Sequence, residues 1–340
     1  MRKMVICGIL MLLIVSIAAN GFAASLKFPD LASANKLQDD FGGGEKNSNK
    51  ETENKTVITV ADKSEYKIVS DVANIKHEGK VYATATADEI YTFQAGINYE
   101  VKTKAGIESE KWEMENLWLQ AKVNKAMIIR GGKQTYHVAK GLFIDQDGVF
   151  GVRFIYNPDK NNAAEVFNGR DSQDVDVTTS GIMRSLQVVN VSHKFSKQLH
   201  LGTYFAHQQT TDGKSINRFR GGYGKIEVAP KTNVNFEYVH NTTLNKTAYI
   251  AELQQGNSKV VGGWSYGLDY MKVDAKTFET NDYTDFDTQY TPKNGFKGPG
   301  VIIGNRITKH STIQAQRWWG RNLASTGAMP ISKLLLVVNF

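Results

Sequence analysis

YTFQAGINYEVK, residues 91–102, decides the fold. Its odd positions are Tyr91, Phe93, Ala95, Ile97, Tyr99 and Val101, and its even positions are Thr92, Gln94, Gly96, Asn98, Glu100 and Lys102. Side chains alternate between the two faces of a strand, so this segment has one apolar face and one polar face. A half-buried strand of a soluble sandwich would have the same pattern. What separates the two readings is that the pattern recurs to the end of the chain.

NLWLQAKVN (116–124) sets Leu117, Leu119, Ala121 and Val123 against Trp118, Gln120, Lys122 and Asn124. VFGVRFIYNP (149–158) sets Phe150, Val152, Phe154 and Tyr156 against Gly151, Arg153 and Ile155. NVNFEYVHN (233–241) and GWSYGLDYMK (263–272) repeat it with Val234, Phe236 and Tyr238, then with Trp264, Tyr266, Leu268 and Tyr270. From Lys80 onward nothing has the period of a long amphipathic helix, and short alternating runs between turn residues specify an all-β chain.

Between these runs lie brief polar connections at SHKFSKQLH (192–200), VAPKTNV (228–234), GNS (256–258) and ITKHST (307–312). Two others, around 158–181 and 274–298, are long and polar. Short turns at one end and long loops at the other are the habit of a transmembrane antiparallel up-and-down β-barrel. The run spacing predicts about 14 strands, within a range of roughly 12–16. Tyr91 and Tyr99 share a face eight residues apart, on the order of 20 Å of height for a tilted strand. They therefore fit the two rims of a lipid-facing band. In hydrocarbon every backbone polar group needs an internal partner, so such a sheet must close on itself.

The N-terminus fits that destination. Arg2 and Lys3 precede an almost wholly apolar run from Met4 to Ala19, and small residues follow at Gly21, Ala23 and Ala24. This is the pattern of a cleaved secretory signal over residues 1–24, too short to serve comfortably as a membrane span. Removing it would lower the formal charge from +7 to +5 and take away the single cysteine, Cys7. The exported chain would then have no disulfide and no thiol nucleophile. Residues 25–56, with the glycine triplet and polar run of QDDFGGGEKNSNKETENK (38–55), read as a flexible periplasmic lead, and 57–340 as the barrel. TVITV (56–60) and YKIVSDV (66–72) are candidate short strands within or beside that boundary. The mild basic excess carries no basic run, which argues against nucleic acid as a partner.

The chain ends KLLLVVNF (333–340), with Phe340, Val338, Leu336 and Leu334 on one face of the strand expected to close the barrel. A final strand ending on phenylalanine resembles the recognition signal of outer-membrane barrel proteins, although Val338 stands where an aromatic residue is frequent. The resemblance implies the barrel-assembly machinery as a partner. RGGKQTYHVAKGLFIDQDGVFGVRFIYNP (130–158) resembles a hairpin of bacterial porins, including the alginate-export-like group. Gly132, Lys133 and Gln134 match a Gly-Arg-Gln triplet with lysine for arginine. Gly151, Val152 and Arg153 match a strand start in which Phe150 replaces an aspartate, with Asp145 and Asp147 nearby. The resemblance implies a bacterial outer-membrane porin with a charged lumen. It does not carry over an alginate substrate, since no dense arginine lining is evident.

If the apolar face meets lipid, parity turns Lys122, Arg153, Arg218, Arg220, Arg306, Glu100 and Glu237 toward the pore, with Arg218 and Arg220 the strongest pair. The competing account is that these charges neutralise one another or sit in loops. The acidic stretch 274–298 could fold inward and narrow the pore; as a calcium site it lacks the regular spacing of an EF-hand. The expected activity is passive diffusion of small hydrophilic solutes across outer-membrane lipid, without cofactor, metal or enzymatic step. A homotrimer is compatible with it. One alternative is a phospholipase-like barrel enzyme using His240 with Thr242, although no Gly-x-Ser-x-Gly elbow or His-Glu-x-x-His motif occurs. The other is an adhesin or structural barrel whose long loops bind outside partners.

Overall fold

The computed structural model describes residues 25–26, 55–69, 72–104, 107–170, 185–209, 215–278, 295–323 and 327–339. The expected signal, most of the lead, Phe340 and, of the two long polar connections, residues 171–181 and 279–294 lie outside them. A two-residue strand, β1 (Ser25–Leu26), pairs in parallel with the start of β2 (Lys55–Val69). The staves that follow are β3 (Val72–Ala87), β4 (Tyr91–Lys104), β5 (Ile107–Lys122), β6 (Met127–His137), β7 (Asp145–Tyr156), β8 (Asn162–Arg170) and β9 (Ser185–Lys194). Then come β10 (Leu199–Gln209), β11 (Ser215–Ala229), β12 (Thr232–Asn241), β13 (Lys246–Gly256), β14 (Trp264–Val273), β15 (Phe296–Arg306), β16 (Ser311–Asn322) and β17 (Ala328–Asn339).

From β2 to β17 each stave pairs antiparallel with the next, and β17 pairs with β2 through Leu334↔Tyr66, Leu336↔Ser64 and Val338↔Asp62. That last ladder removes the open edge that hydrocarbon would not tolerate. The barrel has sixteen staves, two more than the sequence count of about 14. Part of the difference lies in β8, Asn162–Arg170, inside the stretch read as one long connection at 158–181, while TVITV and YKIVSDV are not separate strands but belong to one 15-residue stave and the start of the next. The polar stretch between them, 61–65, had disguised a continuous strand. The first stave also begins at Lys55, inside the stretch read as lead.

One end of the barrel carries short turns. Ala229 and Thr232 are joined by Pro230 and Lys231, the latter at φ 60°. Asp88 and Glu89 turn β3 into β4 with φ 51° and 55°. The connection read as a tight GNS turn is longer, spanning 257–263. The stretch 158–181 is not one long connection: 158–161 turn β7 into β8 at this same end and 162–170 are β8 itself, while the described start of 274–298 lies at the opposite end.

The outward face is apolar as the alternation required. Phe150, Val152, Phe154, Tyr156, Trp264, Tyr266, Tyr270, Leu334 and Leu336 are exposed there, and Leu268 is 59% exposed. Tyr99 lies against Trp112 with ring centroids 4.4 Å apart. Adjacent Trp318 and Trp319 split, Trp318 buried inside and Trp319 exposed outside.

The inside is not uniformly wet. In its long-loop half, Tyr136, Val149, Phe167, Leu186, Val188, Tyr204, Phe219, Val239, Ile250, Met271 and Phe296 form a dry cluster. A closed cylinder of this kind leaves apolar side chains without partners across its middle unless something fills it. Here the filling is the chain itself.

Candidate functional site

The connection between β6 and β7, residues 138–144, folds into the barrel. Val138, Leu142, Phe143 and Ile144 are all at most 1% exposed. An apolar VAKGLFI segment cannot stand in water without cost, and the inner wall offers it a dry surface. Ala139 at φ 57° and Gly141 at φ 78° give the segment its reversal, and Val138 N–H donates to the Ile144 carbonyl at 3.1 Å. Phe143 reaches Phe219 at 4.6 Å and Tyr204 at 5.6 Å between centroids.

Glu237, at 1% exposure, anchors the segment from β12. Its Oε2 accepts the backbone N–H of Lys140 at 2.9 Å and of Leu142 at 3.0 Å, while its Oε1 accepts the Tyr204 hydroxyl at 2.7 Å. Lys140 Nζ donates to Glu252 on β13. Both oxygens of the Glu237 carboxylate thereby have donors, which is the condition for keeping such a group in a dry place. Gly221, opposite Tyr204 in the β10–β11 ladder, makes room for the ring: a Cβ there would lie 2.0 Å from it. Gly221→Val is therefore expected to displace Tyr204 from Glu237 and cost about 1–3 kcal/mol of overpacking. A lowered denaturant midpoint with an unchanged slope checks this.

The start of the 274–298 connection also folds inward. Phe278 is 2% exposed and 6.5 Å from Phe143 between centroids. Asn241 Nδ2 donates to the Thr277 carbonyl at 2.9 Å, and Thr277 Oγ1 donates to the Asp274 carbonyl at 2.8 Å. Asp274 stands at the rim beyond β14. Burial pushes its carboxyl up, but bonds from Lys272 and Thr247 outweigh that and hold it below the ordinary range.

The opposite wall, β3 to β5, is charged on its inner face. Lys76 Nζ lies 2.6 Å from Glu78 and 2.8 Å from Glu100, which is 2.6 Å from Lys102 Nζ. Glu115, an extra residue where the β4–β5 register shifts, accepts from Tyr82 at 2.5 Å and from Lys80. Glu113 meets Lys111 at 2.8 Å and Lys133 at 3.4 Å. These side chains keep partial exposure, between 13% at Glu100 and 56% at Lys111, apart from the more enclosed Glu78 and Glu115. Toward the short-turn end, Arg130 and Arg153 face each other across the β6–β7 ladder. Arg130 lies over the Trp118 ring at 4.2 Å and donates to Gln120 Oε1 at 2.7 Å, and Arg153 donates to Glu165 at 2.5 Å.

The residues singled out from the sequence thus divide. Glu100, Arg153 and Glu237 carry inward parity, but Glu237 is engaged in holding a loop and Glu100 and Arg153 are ion-paired. Lys122 and Arg306 share that parity at the short-turn rim, where Arg306 donates to the Lys309 carbonyl. Arg218 and Arg220 are exposed on the outer face, because the residue between them, Phe219, is the inward one at 3% exposure. Parity had been assigned at that strand from its charges, whereas the buried aromatic sets it. Leu334, Leu336 and Val338 lie on the closing ladder with β2. His240 Nε2 is 3.2 Å from Asn245 Oδ1, and Thr242 Oγ1 donates to the Arg218 carbonyl, so neither addresses the other. Missed from the sequence were the infolded 138–144 segment and Glu252, Glu115 and Arg130. The signal for the first was available: four large apolar residues in a loop.

A closed sixteen-stave antiparallel barrel, apolar outside, with a loop folded against one inner wall and charges on the other, has the fold of the bacterial outer-membrane porins. Pseudomonas putida OprB in its high-pH structure superposes with a TM-score of 0.61 at 9% identity, over 84% of this chain and 94% of that one. Its low-pH structure gives 0.56 at 10% identity over 94% of this chain and 100% of that one. A variant of Rhodobacter blastica porin gives 0.51 at 9% identity over 84% of this chain and 100% of that one. No protein-family model and no curated sequence matches the chain.

Proposed function

We propose that this chain is a porin of a bacterial outer membrane, exported by a cleaved signal and inserted by the barrel-assembly machinery through its last strand. It passes small hydrophilic solutes passively, with no cofactor and no catalytic step, and a homotrimer suits it. The observation that carries this reading is the partly exposed charged wall of β3 to β5 facing the interior opposite the infolded 138–144 segment. Charges held inside a cylinder with water access line a wet path, and the apolar plug leaves that path along one side only.

On this wall lysines and glutamates alternate and pair, so neither sign dominates. Single-channel recording across a tenfold salt gradient is therefore expected to give an ohmic current. The reversal potential should be a small fraction of the ~59 mV of an ideally selective pore. Glu115→Gln should shift it toward anion preference by leaving Lys80 in excess. Folded protein that never conducts overturns the proposal.

A further inference from the structure

We propose that the outer rim of β10 to β12 binds the phosphate of a phosphorylated outer-leaflet glycolipid, through Arg218 and Arg220 flanked by His207 and His240. The inference rests on the outer-membrane reading above. Across the ladders, His207 pairs with Arg218, and Arg220 pairs with both Phe205 and His240. The four basic residues therefore occupy two adjacent outward rows. Both arginines are exposed. Among the described residues, the outward positions of β9 to β13 carry no carboxylate; they run through Val189, Val191, Phe205, Tyr238 and Leu253, all exposed and apolar or aromatic.

Height fixes what this patch meets. Arg220 and Arg218 stand nine and eleven residues from Ala229 at the short-turn end, which is roughly 23 and 28 Å along a tilted strand. They therefore sit at the far edge of the lipid-facing band, Arg220 level with Phe205 and one outward row above Tyr238, and Arg218 one row higher still, where acyl chains give way to headgroups. A bare cation pair facing acyl chains is disfavoured, whereas a phosphate at that level gives two guanidinium forks their preferred partner. Free phosphate has the same chemistry but no acyl chains to rest on Phe205, Val189 and Tyr238, so a lipid fits both halves of the surface.

The test uses the full barrel in detergent, with binding of lipid A read by native mass spectrometry. Lipid A is expected to bind at least about tenfold more tightly than its dephosphorylated form and than inorganic phosphate. The double variant R218Q/R220Q should lose that preference, and R218K/R220K should keep part of it, since lysine retains charge without the bidentate fork. Equal binding of phosphorylated and dephosphorylated lipid A to the unaltered protein overturns the proposal, as does an undiminished preference in R218Q/R220Q. Free phosphate binding as tightly as the lipid overturns the lipid assignment. The comparison of the two lipids needs no variant, so a misfolded R218Q/R220Q leaves it decisive. Single-channel conductance of the same samples reports the porin reading separately: current without phosphate preference rejects only the rim site, and preference without current rejects only the channel.

Discussion

Replacing Glu237 by alanine is expected to free the 138–144 segment and widen the pore. Three donors converge on that carboxylate, the amides of Lys140 and Leu142 and the hydroxyl of Tyr204. Each donor left buried without an acceptor costs about 1–3 kcal/mol. Even the lower figure, taken over the two amides, exceeds the ~1.4 kcal/mol that changes a population tenfold. The apolar side chains of the segment still favour the dry wall, so release should be frequent rather than permanent. Single-channel traces of Glu237→Ala should show larger and noisier current than the unaltered protein. Trypsin should cut after Lys140, a site enclosed by Glu237 and Glu252 in the unaltered barrel. Glu237→Gln keeps one carbonyl acceptor and should fall between the two. Unchanged conductance and continued protection of Lys140 in the alanine variant would remove Glu237 from the role of anchor.

The second large effect concerns the outer face. Leu268 lies four residues from Trp264, roughly 10 Å into the lipid band. Leu268→Arg should reduce the stability of the inserted barrel by about 2–4 kcal/mol, the cost of arginine near the bilayer midplane. Gln187 faces outward one strand from His207, level with Arg218, and Gln187→Arg should cost only about 0–1 kcal/mol. Urea titration in lipid vesicles measures both. Equal costs at the two positions would mean that the outer face does not meet hydrocarbon, and the barrel would have to be reread as a soluble one.

The outer face was legible because it obeys a rule local to each strand. Phe150, Val152, Phe154 and Tyr156 could be assigned together from four alternating positions, and Tyr91 to Val101 from six. Strand count was less legible, since β2 alternates weakly through Ala61, Asp62, Lys63 and Ser64. The inner face was legible only in part. In the long-loop half both faces are apolar, so Leu186, Val188 and Val189 run together and erase the alternation. Charge then misleads, as at Arg218 and Arg220, where the buried Phe219 decides which way the strand is turned. The anchoring of the plug was invisible for a different reason. Lys140 and Glu237 meet from positions 97 residues apart, and nothing local to either announces the other.

That separation orders events in time. On the proposed insertion through the last strand, β12 takes its place in the sheet before β6 and β7 join it. Glu237 then stands ready while the greasy finger that will clasp it is still outside, and docking of that finger falls among the late steps. Glu237→Ala should therefore leave the C-terminal staves to form at their usual pace and delay only the last stage of assembly.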